Sequence, residues 1–251
     1  MTELSPAARA IARSRVYAFL AQAFAEPDAE TYAGLRQSLP DTRAALAAVE
    51  AEQSQAAIGA VSAELGEMDY DEFAAAHLAA FGPLASSDCP PYEGEYGHAH
   101  VFQQTQCLAD NAGFIRAFGL TAAPGFGERI DHISVELEFL HVLAAKESYA
   151  LSHDHGEERL EVVRSATQEY FEHHLGRWAP SFAARLEAKT QDGPYLALSR
   201  LLAAFLAEEA SALGMEPGPA ALVVSKPQAD QEAETCGGCA AAFNSSTRVE
   251  P

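Results

Sequence analysis

The sequence predicts an all-α protein, a single helical-bundle domain with a long Pro/Gly-rich loop and a flexible C-terminal tail. Three observations carry that reading. The chain is rich in Ala, Leu and Glu, residues that lose little on entering a helix. It lacks the alternation of apolar and polar residues that a half-buried strand needs. Gly and Pro punctuate it at intervals that suit helices of ordinary length. With 251 residues and 48% apolar content there is material for one globular domain, or two small ones, with a sizeable core, and a globally disordered chain is excluded.

Each element has its own justification. A first helix runs from Pro6 to Phe24, because Ser5 can cap it, Pro6 fits the first turn, and Val16, Phe19, Leu20 and Phe24 form a stripe; Pro27 ends it. Thr31 to Leu39 and Asp41 to Leu65 read as two further helices, the second short of large apolar residues and therefore peripheral. Asp69 to Phe81 starts on a polar cap, places Phe73, Ala76, His77, Ala80 and Phe81 at helical spacing, and stops at Gly82-Pro83. Residues 82–97, with three prolines and three glycines, form a loop long enough to be functional. Helical periodicity resumes from His98 to Phe118, and a second Gly/Pro loop spans Gly119 to Gly127. In the helix from Asp131 to Leu151, Ile133, Leu137, Leu140 and Ala144 fall within about 40° of one another and mark the core face. Glu157 to Leu175, Trp178 to Lys189 and Pro194 to Leu213 complete the bundle. The domain is therefore 1–214, and 215–251 is read as a mobile tail holding the Cys236/Cys239 pair, which could supply half of a tetrahedral metal site or a disulfide.

Charge and motifs exclude several functions. Sixteen Lys+Arg against 36 Asp+Glu give a formal charge of −20, which repels a nucleic-acid backbone. No apolar run approaches the roughly 18 to 20 residues of a membrane span, and the first residues lack the apolar stretch of a secretory signal, so the expectation is a cytoplasmic protein without stable membrane insertion. The glycine fingerprints of nucleotide sites, His-Glu-x-x-His and Gly-x-Ser-x-Gly are all missing, so no catalytic residue is assigned and no enzyme is expected. Cys89 and Cys107 read as plain thiols.

The remaining candidates are side-chain groupings. Glu138 and His141 match one Glu-x-x-His element of a di-iron bundle, the alternative reading being a metal-binding helical-bundle oxidoreductase. A second copy is missing, and the pair lies about 140° and 80° from the core stripe, so no metal ligand and no cofactor is assigned. His98/His100 and His153/Asp154/His155 read as solvent-facing loop or first-turn residues. Asp131 sits where a helix N-cap belongs, with His132 and Glu136 beside it as either a structural pair or the acidic wall of a groove. The loop Pro90-Pro91-Tyr92-Glu93-Gly94-Glu95-Tyr96 sets two carboxylates and two aromatics on a stiffened backbone, which suits a basic, partly apolar peptide.

Two motifs, Pro-Pro-Tyr-Glu-x-x-Tyr in a loop and Asp-His-x-x-x-Glu-Leu-x-Phe on a helix, occur here in order. Together with AGFIRAFGL and HLGRWAPSFAARL they give residues 9–213 a resemblance to the TorD/DmsD/NarJ family of chaperones that mature molybdoenzymes before twin-arginine export. The stretches HVFQQTQCLADNAGFIRAFGL and HLGRWAPSFAARL resemble the branch serving dimethylsulfide, ethylbenzene and selenate-type dehydrogenases or reductases. The Cys-Gly-Gly-Cys of the tail is outside that pattern. The resemblance implies an all-helical chaperone, monomer or homodimer, whose partner is a molybdoenzyme catalytic subunit and its twin-arginine signal peptide. It also implies a client site with Pro90, Pro91, Tyr92, Glu93 and Tyr96 on one wall and Asp131, His132, Glu136 and Phe139 on the other. In that site Glu93 and Glu136 would meet guanidiniums, Asp131 would tie loop to helix, and Tyr92 and Phe139 would pack.

Overall fold

The computed structural model describes residues 4–82, 88–97, 101–121 and 127–224. Within them lie α1 (Pro6–Phe24), α2 (Ala29–Ala48), α3 (Glu52–Glu67), α4 (Tyr70–Phe81), α5 (Val101–Ala117), α6 (Ile133–Ser152), α7 (Glu157–His173), α8 (Leu175–Lys189) and α9 (Pro194–Ala212). A single 3-10 turn, Glu93–Glu95, interrupts the first long loop. No strand occurs among the described residues, only two isolated bridges, Tyr92 with His132 and Tyr96 with Val224.

The first helix forms where its signals place it: Ser5 accepts from the Ala8 N–H at 3.2 Å, and Pro6 opens the first turn. Its apolar stripe goes inward, with Val16, Tyr17, Leu20 and Phe24 fully buried. α1 packs most extensively on α6, which presents Ile133, Leu137, Leu140 and Ala144 to the core as its periodicity requires. α9 lies against α3 and α8 on the other side. The interior is aromatic: Phe24 meets Phe182 edge-on at 5.6 Å, and Tyr195 stacks on Phe73 at 5.6 Å. One buried ion cluster crosses it. Arg13 of α1 donates to Glu209 of α9 at 2.8 Å and to Glu147 of α6 at 3.2 Å, while Arg164 of α7 reaches Glu147 at 2.9 Å.

Three boundaries differ from the sequence reading. Pro40 does not break a helix but lies inside α2, at an exposed position where the carbonyl that loses its intrahelical donor remains within reach of water. The break falls instead at Glu50, whose φ of +60° lets Glu50 N–H bond Ala47 O and Ala51 N–H bond Leu46 O, a left-handed helix stop made without glycine. The third difference concerns the C-terminal boundary. Residues 215–224 do not hang free of the bundle: they form a strap across α8 and the first loop.

In the strap, Ser181 donates to Pro219 O, Leu222 N–H donates to Ser181 Oγ at 2.9 Å, and Arg185 donates to Leu222 O at 2.8 Å. Gly97 N–H then donates to Val223 O at 2.7 Å. Met215, Leu222 and Val224 pack on the core, which is why a stretch that looked too polar and Pro-rich to pack is held. The strap crosses α8 so closely that a Cβ at Gly218 would lie 2.0 Å from Gly176 O. Cys236 and Cys239 lie outside the described residues, as do His98 and His100.

Candidate functional site

The loop and the start of α6 are joined by main-chain bonds before any side chain is considered. Ile133 N–H donates to Pro91 O at 2.9 Å and Glu93 N–H donates to Asp131 O at 2.9 Å, flanking the bridge between Tyr92 and His132. Asp131, fully buried, accepts from Gly94 N–H at 3.1 Å and from Arg129 at 2.7 and 3.0 Å. Arg129 also pairs with Glu95 at 3.2 Å and lies over the Tyr92 ring, 4.4 Å from its centre. Asp131 therefore ties loop to helix through its carboxylate.

It is not the helix cap. That position falls one residue later, on His132, whose Nδ1 accepts from Ser134 N–H at 3.2 Å and from the Ser134 hydroxyl at 2.7 Å. An accepting Nδ1 requires a ring that is not an imidazolium, and burial provides this by pushing the His132 pKa down to about 4.

Behind the wall lies a buried polar network. Glu93 is 1% exposed and accepts from Arg177 at 2.6 Å, Asn111 at 2.8 Å and His174 at 2.9 Å. Burial opposes its ionisation, but the hydrogen bonds and charge of His174 and the bond from Arg177 prevail and hold the carboxyl down at about 2. Glu136, wholly buried, behaves oppositely. Burial and the neighbouring Glu93 charge push its pKa well above the carboxylate range, so it keeps its proton, while Trp178 Nε1 donates to its Oε2 at 2.9 Å. Its Oε1 is buried without a hydrogen-bond partner, a position where a neutral carboxyl costs less than a charged one. Tyr170 closes the network by donating to Asn111 Oδ1.

The nine residues assigned from sequence do come together, but mostly as an interior. Tyr92 is half-buried; Pro90, Pro91, Glu93, Tyr96, Asp131, His132, Glu136 and Phe139 are buried. Tyr96 donates to Pro90 O at 3.0 Å and packs on Trp178, and Phe139 meets Tyr170 edge-on at 4.6 Å. The guanidinium expected on Glu93 is supplied from within, by Arg177, and Glu136 faces Trp178 and Glu93, so neither carboxylate faces solvent. Sequence reasoning missed Asn111, Tyr170, His174, Arg177 and Trp178. The available signal was the spacing of His174, Arg177 and Trp178, which puts all three on one face at the start of α8.

The metal readings can be weighed on the same geometry. Glu138 is exposed, as its periodicity indicates, and His141 Nδ1 bonds Ser14, so the Glu-x-x-His pair converges on no common point. His153 stacks on Tyr149 and bonds its carbonyl. Among the described residues Glu93, Cys107 and His174 bring ligand atoms within 4.8 Å of one another. The Asn111 amide nitrogen fills that space, 2.8 Å from Glu93 Oε2, 3.1 Å from His174 Nδ1 and 3.8 Å from Cys107 Sγ, and Arg177 adds a competing cation. These residues form a hydrogen-bond network and do not fit a metal.

Residues 21–184, which contain the whole wall, match the family described as nitrate reductase delta subunit. The chain is similar to the perchlorate reductase assembly chaperone protein of Dechloromonas aromatica, with 29% identity over 210 residues covering 79% of this chain and 88% of that one. It is also similar to the chaperone protein TorD of Photobacterium profundum, with 28% identity over 142 residues covering 57% of this chain and 64% of that one.

Proposed function

From the premise that this chain belongs to the nitrate reductase delta subunit family and is an assembly chaperone, not an enzyme, we propose that it binds the twin-arginine signal region of a molybdenum-containing oxidoreductase. It holds that catalytic subunit in the cytoplasm for cofactor insertion and assembly before export. The observation that carries this reading is the wall itself: a Pro-stiffened loop locked to the start of α6 by Asp131, lying wholly within the family match. The part of it that reaches solvent, at Tyr92 and Glu95, is fixed in this way and loses little entropy when an extended peptide docks on it. The charge of −20 suits a partner segment that carries arginines. No helix among the described residues is long and apolar enough to cross a membrane, which is compatible with a cytoplasmic role.

The test is calorimetric titration of the full chain with a peptide carrying two arginines followed by an apolar run, and with the same peptide after both arginines are replaced by glutamine. Binding of the first and weakened binding of the second are expected. No binding of the arginine peptide would overturn the reading.

A further inference from the structure

Beside the wall, α1 and α6 leave a groove of about 720 Å³, within the size range of sites that hold ligands. Its origin is local. From α1 and its C-cap come Ala18, Ala21, Gln22 and Ala25, and the three alanines are too small to fill the gap to α6. On α6 the facing residues are Val135, Glu138, Phe139 and Val142, a second stripe at spacings of three and four that is separate from the core stripe. Val135 and Val142 are only half-buried, Val135 packing on the edge of the core. One side is closed by His141, whose Nδ1 bonds Ser14 Oγ at 2.9 Å and Ser14 O at 3.0 Å.

Beside the neutral Gln22, Thr121 and Ser134, the charged groups of the groove are acidic. Glu128 and Glu138 line the groove, and no Lys or Arg does so among the described residues. Glu138 is exposed and has no ion-pair partner there, and Glu128 accepts from the Tyr92 hydroxyl at 3.4 Å, which links the groove to the wall. An apolar trough with carboxylates and no cation is complementary to a segment that is apolar along its length and carries guanidiniums.

We propose that this groove seats the client's signal segment, its apolar run lying on Val135, Phe139 and Val142 against the alanines of α1, and its paired guanidiniums meeting Glu128 and Glu138. The assignment rests on the function proposed above and moves the charge-recognising groups from Glu93 and Glu136, which are internal, to two carboxylates that reach solvent.

The experiment uses the full chain and the two peptides named above. Glu128→Gln/Glu138→Gln should weaken the arginine peptide by about tenfold or more, as loss of charge-assisted bonds requires, and leave the glutamine peptide unchanged. Val142→Glu, which places a charge in the trough, should weaken both peptides. Circular dichroism of each variant should match the parent, since none of the three positions is buried. If the parent binds the arginine peptide and both variants bind it equally well, the groove assignment is overturned while the chaperone reading stands. If the parent binds neither peptide, it is the function itself that fails. Light scattering that showed a dimer broken by Val142→Glu would assign the groove to a second copy of the chain and also overturn the proposal.

Discussion

Arg177, its side chain 41% exposed, donates at 2.6 Å to Glu93, whose side chain is 2% exposed: a surface cation reaches inward to close a buried anion. Removing it leaves the carboxylate with His174 and Asn111 alone. Loss of one partner of a wholly buried pair costs about 3 to 5 kcal/mol, and partial solvation of Arg177 reduces this, so Arg177→Ala should cost about 2 kcal/mol in urea unfolding. Glu93→Gln should act in the same direction, because it discards the charge that Arg177 and His174 stabilise. Neither change should alter the salt dependence of peptide binding, a result that would distinguish an internal strut from a client contact.

Glu136 gives the stability a pH dependence of opposite sign to Glu93. The folded protein keeps the Glu136 proton, whereas the unfolded chain releases it above about 4.3, so stability falls as pH rises through the neutral range. Glu136→Gln preserves an acceptor for Trp178 without a titrating proton. The variant should be more stable than the parent at pH 8 and the difference should vanish near pH 4, measured by chemical unfolding across that range.

Glu93 and His132 set the acid limb. Glu93 stabilises the fold above the ordinary carboxylate range and loses that contribution as pH falls toward about 2. His132, depressed to about 4, contributes fully above about 6.5 and progressively less as pH drops to 4, because only the unfolded ring takes up a proton in that interval. His132→Asn retains an N-cap and should flatten the unfolding free energy between pH 6.5 and 4. His132→Ala should cost about 1 kcal/mol at neutral pH through loss of the cap.

The strap separates two truncations that sequence alone would treat alike. A chain ending at Val224 keeps every strap contact and should melt like the parent. A chain ending at Gly214 loses the bonds to Ser181, Arg185 and Gly97 and the packing of Leu222 and Val224. At about 2 to 4 °C per kcal/mol for a domain of this size, a loss of about 2 kcal/mol should lower Tm by about 4 to 8 °C. Gly218→Ala should approach the shorter truncation, because its Cβ cannot coexist with Gly176 O at the present crossing.

The helices were legible wherever a cap or a stop is written in the local residues: Ser5 and Pro6, Asp69 with Glu72, Gly82, and the stripe of α6. Pro40 and Glu50 misled because the first is tolerated on an exposed face and the second makes a left-handed stop normally given to glycine. The site was legible as two motifs, but not in its orientation. Periodicity placed Glu138 outward correctly, yet whether Glu93 and Glu136 face solvent depends on His174, Arg177 and Trp178, and His174 and Arg177 lie more than eighty residues from Glu93. The strap was illegible for a related reason: its bonds use main-chain groups of residues 219–223, which composition does not reveal.

The strap also imposes an order on synthesis. The first loop leaves the ribosome well before the segment that pins its far side, since Gly97 and Val224 are 127 positions apart in the chain. At about 5 to 20 residues per second, translation needs roughly 6 to 25 s to cover that distance. Until the strap emerges the loop has only its contacts to α5, α6 and α8, so a nascent or prematurely terminated chain displays the two motifs without the clamp on Tyr96 and Gly97.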